Sequence, residues 1–108
     1  MKRAPEPQPD LRAAIRVVER LALAPFTRIR HAMPKSYFGP AYDRWLRRQR
    51  EVTGEVAKAL SAEGVFIGET RDLVTVAYCG IRASSTTGLQ GALRNWKAAA
   101  EKRLAGGQ

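Results

Sequence analysis

RDLVTVAYCGI, residues 71–81, is the stretch whose reading decides the fold, because its apolar side chains satisfy two periods at once. Wound as a helix started by Glu69 or Thr70, it brings Leu73, Val76, Ala77, Gly80 and Ile81 to one side and Thr75 and Arg82 to the other. Extended, it offers the β-branched run Val74-Thr75-Val76, and VFIG-ETRD-LVTV would close a hairpin. A run this short is not settled by period alone. We take the helix, with the hairpin kept as the alternative.

The flanks read more clearly. On the N-terminal side, GVFIG (64–68) is an apolar connector too short to classify. Before it, Gly39-Pro40 opens the best-marked helix of the chain, with proline at the first helical position, a run to Ala62 and Gly64 as its stop. Tyr42, Trp45, Leu46, Val52, Val56, Ala57 and Leu60 form its inner face. Arg44, Arg47, Arg48, Glu51, Glu55 and Lys58 lie outside. Farther back, Asp10 stands as an N-cap before LRAAIRVVERLALA, and Pro25 is expected to end that run. Its apolar face is Leu11, Ala14, Ile15, Val18, Leu21 and Ala22, while Arg12, Arg16 and Arg20 stack on the other side at i, i+4, i+8. Between the two helices, residues 26–38 are interrupted by Pro34, and one short helical turn is expected after Thr27.

On the C-terminal side, Thr87-Gly88-Leu89-Gln90 has the T-x-x-Q spacing of a capping box. It announces a helix with Leu89, Ala92, Leu93, Trp96, Ala100 and Leu104 on its apolar face. From Tyr78 to Lys97 the chain resembles a helix-turn-helix in outline, with a glycine turn followed by a helix carrying Arg94, Asn95 and Lys97. Register argues against it. With Gly80 as the turn glycine, Cys79, Ile81 and Leu89 agree with the pattern, whereas Thr75, Val76 and Thr86 do not. The connection from Arg82 to Thr87 also exceeds a three- or four-residue turn. Only a variant with a longer connection, filled by Leu89 and Ala92, stays open. The segment reads as a packed corner, with Trp96 in the core and the four hydroxyl residues Ser84–Thr87 capping and solvating a turn.

These elements assemble into an all-α expectation: a compact bundle of four main helices plus a short helical turn. One domain is expected over residues 10–105. Residues 1–9, with three prolines in nine residues, read as a disordered leader, and residues 106–108 as a flexible tail. A chain of 108 residues can bury a core without disulfide or metal staples.

Charge is the chain's departure from the ordinary. Nineteen Lys and Arg stand against ten Asp and Glu, a net charge of +9, and fourteen of the nineteen are arginine. Residues 1–50 hold twelve basic and four acidic side chains, a balance of +8, and residues 51–108 hold seven against six, a balance of +1. Such asymmetry builds a basic face rather than a uniformly soluble surface. Between Arg28 and Arg50 the arginines alternate with Tyr37, Phe38, Tyr42 and Trp45. Fixed positive charge releases counterions from phosphate, and aromatic faces stack unpaired bases.

The expected phosphate-contacting set is therefore Arg12, Arg16, Arg20, Arg28, Arg30, Lys35, Arg44, Arg47 and Arg48, and the expected partner is DNA or RNA. Tyr42 and Trp45, on an inner helix face, are expected in the core. The alternative is a non-enzymatic protein–protein interaction module that docks on an acidic protein surface, as a small inhibitor or adaptor of mobile-element type. A homodimer that buries VFIG or LVTVAY is a third arrangement.

Catalysis finds little to work with. One histidine and one cysteine make neither a nucleophile–base pair motif nor an ordinary zinc site, and no Gly-rich phosphate loop or nucleophile elbow is present. No catalytic residue, metal or cofactor is expected. His31 reads as a surface or phosphate contact, and Cys79 as a small core residue. With a lone cysteine and no apolar run of membrane-spanning length, the expected location is the cytoplasm, away from membranes.

Overall fold

Residues 66–85 form a three-stranded antiparallel sheet, not a helix and a turn. Its strands are β1 (Phe66–Glu69), β2 (Val74–Tyr78) and β3 (Ile81–Ser85), in the spatial order β1-β2-β3. The computed structural model describes residues 10–106; the leader expected at 1–9 and the last two residues of the expected tail lie outside the described residues. The sheet overturns the all-α bundle: the protein is α+β. Register gives the reason. Ile67, Val76 and Ala83 pair across the three strands, as Tyr78 pairs with Ile81, and these residues face inward, with Val76 and Ile81 buried. Thr75 pairs with Ser84 on the opposite face, their hydroxyls 2.8 Å apart. A period of two separates Val76 from Ala77, which the helical reading had placed side by side.

The Cys-Gly turn also changes meaning. Cys79 and Gly80 are the two central residues between β2 and β3, with φ of 51° and 75°. Positive φ at both positions is the type I′ geometry, whose twist matches that of the strands it joins. Asn-Gly is the usual pair there. Cysteine in the asparagine position hid the hairpin, and its side chain bears the strain of left-handed backbone.

Four α-helices complete the fold: α1 (Leu11–Val18), α2 (Ala24–His31), α3 (Pro40–Ala62) and α4 (Leu89–Ala105). α1 and α2 make one continuous rod, joined by a π-helical stretch, Glu19–Leu23, so the sheet is accompanied by three helical rods. Pro25 does not end the first rod. The widened turn lets the Ala24 amide donate to Glu19 O, five residues back, and the rod runs on through Pro25, the second residue of α2. Two turns of helix thus replace the single short one expected after Thr27.

α4 lies on the inner face of the sheet, and its far side receives α1 and the π stretch. α3 packs on the π stretch and α2, then delivers the chain into β1. Its end has the bonds of a Schellman motif: Val65 N to Leu60 O at 3.0 Å and Gly64 N to Ser61 O at 3.1 Å, with Val65 and Leu60 buried together. Asp10 caps α1 as expected, its carboxylate accepting from the Ala13 amide at 3.1 Å. Trp96 is fully buried in the centre, its ring centroid 5.5 Å from that of Tyr78 and its indole Nε1 donating to Tyr78 O at 3.0 Å.

The capping box does not form. α4 starts one residue late for it, with Gly88 as N-cap and no side-chain cap bond. Thr87 instead pairs its hydroxyl with Ser85 Oγ at 2.7 Å, and Ser85 Oγ accepts from the Thr87 amide at 3.0 Å. Gly91 faces this pair, and a Cβ there would overlap both hydroxyls. The first turn of α4 therefore sits directly against the end of β3.

Two expectations follow, both measurable as urea midpoints. Cys79→Asn should stabilise the protein by about 0.5–1 kcal/mol, and Gly80→Ala should cost about 1–2 kcal/mol, because only the former suits positive φ. Gly91→Ala should destabilise by about 1 kcal/mol even though alanine is the better helix former, since the lost Ser85–Thr87 pair outweighs the propensity gain.

Candidate nucleic-acid interface

Every residue of the expected phosphate-contacting set is exposed: Arg12, Arg16, Arg20, Arg28, Arg30, Lys35, Arg44, Arg47 and Arg48. They do not share one continuous face. Arg16 and Arg20 line a concavity along the first rod with Ala13, Val17 and Ala24. The π stretch then rephases the rod. Arg28 enters a groove between α2 and α3, where it meets Arg48, Glu55 and the apolar wall of Leu21, Ile29 and Val52. Arg30 turns to the other side of α2, into a cleft with Trp45, Gln49 and Gln90. Arg12 lies one turn before Arg16 on α1, and Lys35 lies in the connection before α3. Arg44 and Arg47 occupy the first half of α3.

Among the described residues, one member of the set is engaged by acid. Arg48 Nη1 lies 3.2 Å from Glu51 Oε2 and 3.5 Å from Glu55 Oε2, all on the exposed flank of α3. An exposed pair of this kind is worth about 0.2–1 kcal/mol, so phosphate could compete for the guanidinium. Lys97, by contrast, reaches Glu19 Oε2 at 3.1 Å and ties α4 to the π stretch. Asn95 donates its amide to Ser84 O at 2.8 Å, so it fastens α4 to β3 and reads nothing.

The aromatic residues correct the sequence reading. Tyr42 and Trp45 are half-buried and lie outside the core, because the first half of α3 runs past it and rests on α2 alone. Trp45 Nε1 donates to Ile29 O at 2.6 Å, which clamps α3 to the last turn of α2. Tyr42 stacks on Trp45 at 5.8 Å, and Tyr37 meets Tyr42 edge-on at 5.9 Å. Beyond them Tyr37 is 62% exposed and Phe38 85% exposed. Ser36 fixes that tip, its Oγ accepting from the Phe38 amide at 3.2 Å. A ladder of rings thus climbs from the α2–α3 interface to solvent, flanked by Arg30, Lys35 and Arg44. The sequence carried a signal for this. Pro34 and the Gly39-Pro40 pair interrupt the helices and leave Tyr37 and Phe38 in a connection too short to fold back onto the core.

No other chemistry gathers at one place. Among the described residues no group of three His, Cys, Asp or Glu could hold a metal ion, and no helix is long and apolar enough to cross a membrane. Cys79 sits at a hairpin turn, half-buried against the core, where burial and then the Asp10 carboxylate push its thiol above the ordinary range. Burial raises Tyr78 as well, with smaller contributions from Cys79 and Glu63. No family model matches the chain, and no curated protein or solved structure does either.

A raised thiol has a signed consequence. The fold favours the protonated form, so this stabilisation is complete below the free thiol range, near pH ~8.5, and is lost as pH rises through the higher folded value. The urea midpoint should therefore drop from pH 7 into the alkaline range by more in the parent protein than in Cys79→Ser. Thiol labelling at neutral pH should likewise be slower than for free cysteine and recover in denaturant.

Proposed function

We propose that this is a small, non-catalytic nucleic-acid-binding protein of the cytoplasm, which grips the phosphate backbone with arginines of α1, α2 and the first half of α3. The observation that carries the reading is the concentration of charge: residues 11–50 hold ten basic side chains against Glu19 and Asp43, and all ten are exposed, nine of them on the first rod and α3. The basic helices turn their other faces, with Ile15, Val18 and Phe26, into the core that they share with the sheet and α4. Arginine suits the role because its planar guanidinium pairs with phosphate oxygens bidentately and is weakly hydrated. Arg30 shares the cleft of Trp45, Arg44 is the neighbour of Trp45 on α3, and Arg16 and Arg20 extend the charged track along the first rod.

A second reading has its own support. Met33, Tyr37 and Phe38 expose apolar surface at the α2–α3 elbow, which suits an adaptor that docks on an acidic protein. Nuclease separates the two, because only nucleic-acid binding is lost after digestion, whereas salt and a competing polyanion weaken both.

The primary test is fluorescence anisotropy with labelled DNA and RNA over a salt series. With about five engaged side chains, affinity should fall roughly 100-fold between about 50 and 200 mM monovalent salt. Arg44→Glu with Arg47→Glu should weaken binding and flatten that slope. Absence of binding at low salt would end the proposal.

A further inference from the structure

We infer that the substrate class is single-stranded nucleic acid, engaged by base stacking on Tyr37 and Phe38 at the α2–α3 elbow. This inference rests on the nucleic-acid reading above and narrows it. Phosphate contacts alone do not select a single strand, since both forms present phosphates and the duplex presents them at the higher charge density. Rings do. A base in a duplex has its faces covered by its neighbours, whereas a single strand offers them to any aromatic side chain within reach.

Three features of the elbow fit that role. Three of its rings hold one another, and the fourth is fixed at its backbone: Trp45 is anchored to Ile29 O, Tyr42 stacks on Trp45, Tyr37 abuts Tyr42, and Ser36 bonds the Phe38 amide. Its outermost rings face solvent although nothing in the fold needs them there, Phe38 being 85% and Tyr37 62% exposed. Its surroundings are cationic, with Arg30, Lys35, Arg44 and Arg47 on the elements that frame it and Asp43 as the one acid between residues 28 and 50. An acidic protein surface would use the charge but has no need of stepped, rigid rings, and an apolar protein surface would be repelled by the guanidinium frame. The combination matches a strand with alternating phosphates and bases.

The test compares three labelled ligands at low salt: an oligothymidylate of about 20 nucleotides, an abasic strand of the same length, and a duplex of the same length. The parent protein should prefer oligothymidylate to the abasic strand and to the duplex by at least about tenfold. Tyr37→Ser with Phe38→Ser should lose that preference while keeping the salt slope and the affinity for the abasic strand. Both rings lie outside the core, so the circular dichroism spectrum and urea midpoint should match the parent. Phe38→Trp should retain the preference, as a structural role for phenylalanine alone would not allow. Equal affinity for all three ligands, or a double variant that binds oligothymidylate as the parent does, overturns the inference, leaves phosphate binding standing and assigns the elbow to a protein partner. Failure to bind any of the three overturns both.

Discussion

Trp96 is where the sheet and the helices become one structure. Its indole is wholly buried, and a buried N–H without an acceptor would cost about 1–3 kcal/mol. The carbonyl of Tyr78, at the last residue of β2 before the turn, removes that cost. One side chain thus fixes the height of α4 over the sheet and the place where the hairpin reverses. The positions around it inherit those limits. Ile81 must point inward from the far side of the turn, and Leu93 and Ala100 must flank the indole along α4. Gly91 must be bare so that the helix can descend onto Ser85 and Thr87.

Amphipathic helices announce themselves because their period repeats over many residues. α3 was legible from Gly39-Pro40 to Gly64, the inner face of α1 was legible residue by residue, Asp10 was legible as a cap, and Trp96 as core. The sheet was not. Its strands are four or five residues long, so each shows barely two periods, and β3 (IRASS) hides its role behind hydroxyl residues that resemble a turn. Those small side chains are present because α4 lies close above one face and the other meets solvent. Cys79 concealed the turn by standing where asparagine would have declared it. The capping-box spacing at Thr87 misled because spacing alone does not say which residue takes the N-cap conformation.

The candidate interface divided in a similar way. Exposure of the nine basic residues followed from helical period and charge. Their grouping did not, because it depends on the π stretch, and one extra residue in a turn redirects every side chain after it. Arg28 and Arg30 reach opposite sides of α2 by ordinary helical period, and the π stretch sets where those sides lie relative to α1. The half-burial of Tyr42 and Trp45 was also hidden, since a wheel shows which face is apolar but not how far along the helix the core extends.

The first half of α3 and the end of α2 are held to each other chiefly by Trp45 and its neighbours, while Trp96 and its neighbours hold the rest. The molecule therefore has two tryptophan-centred anchorages that can fail separately. An opening confined to the elbow exposes little of the interior and costs far less than global unfolding. Tyr37 and Phe38 can accordingly shift with the elbow while the sheet and α4 keep their packing.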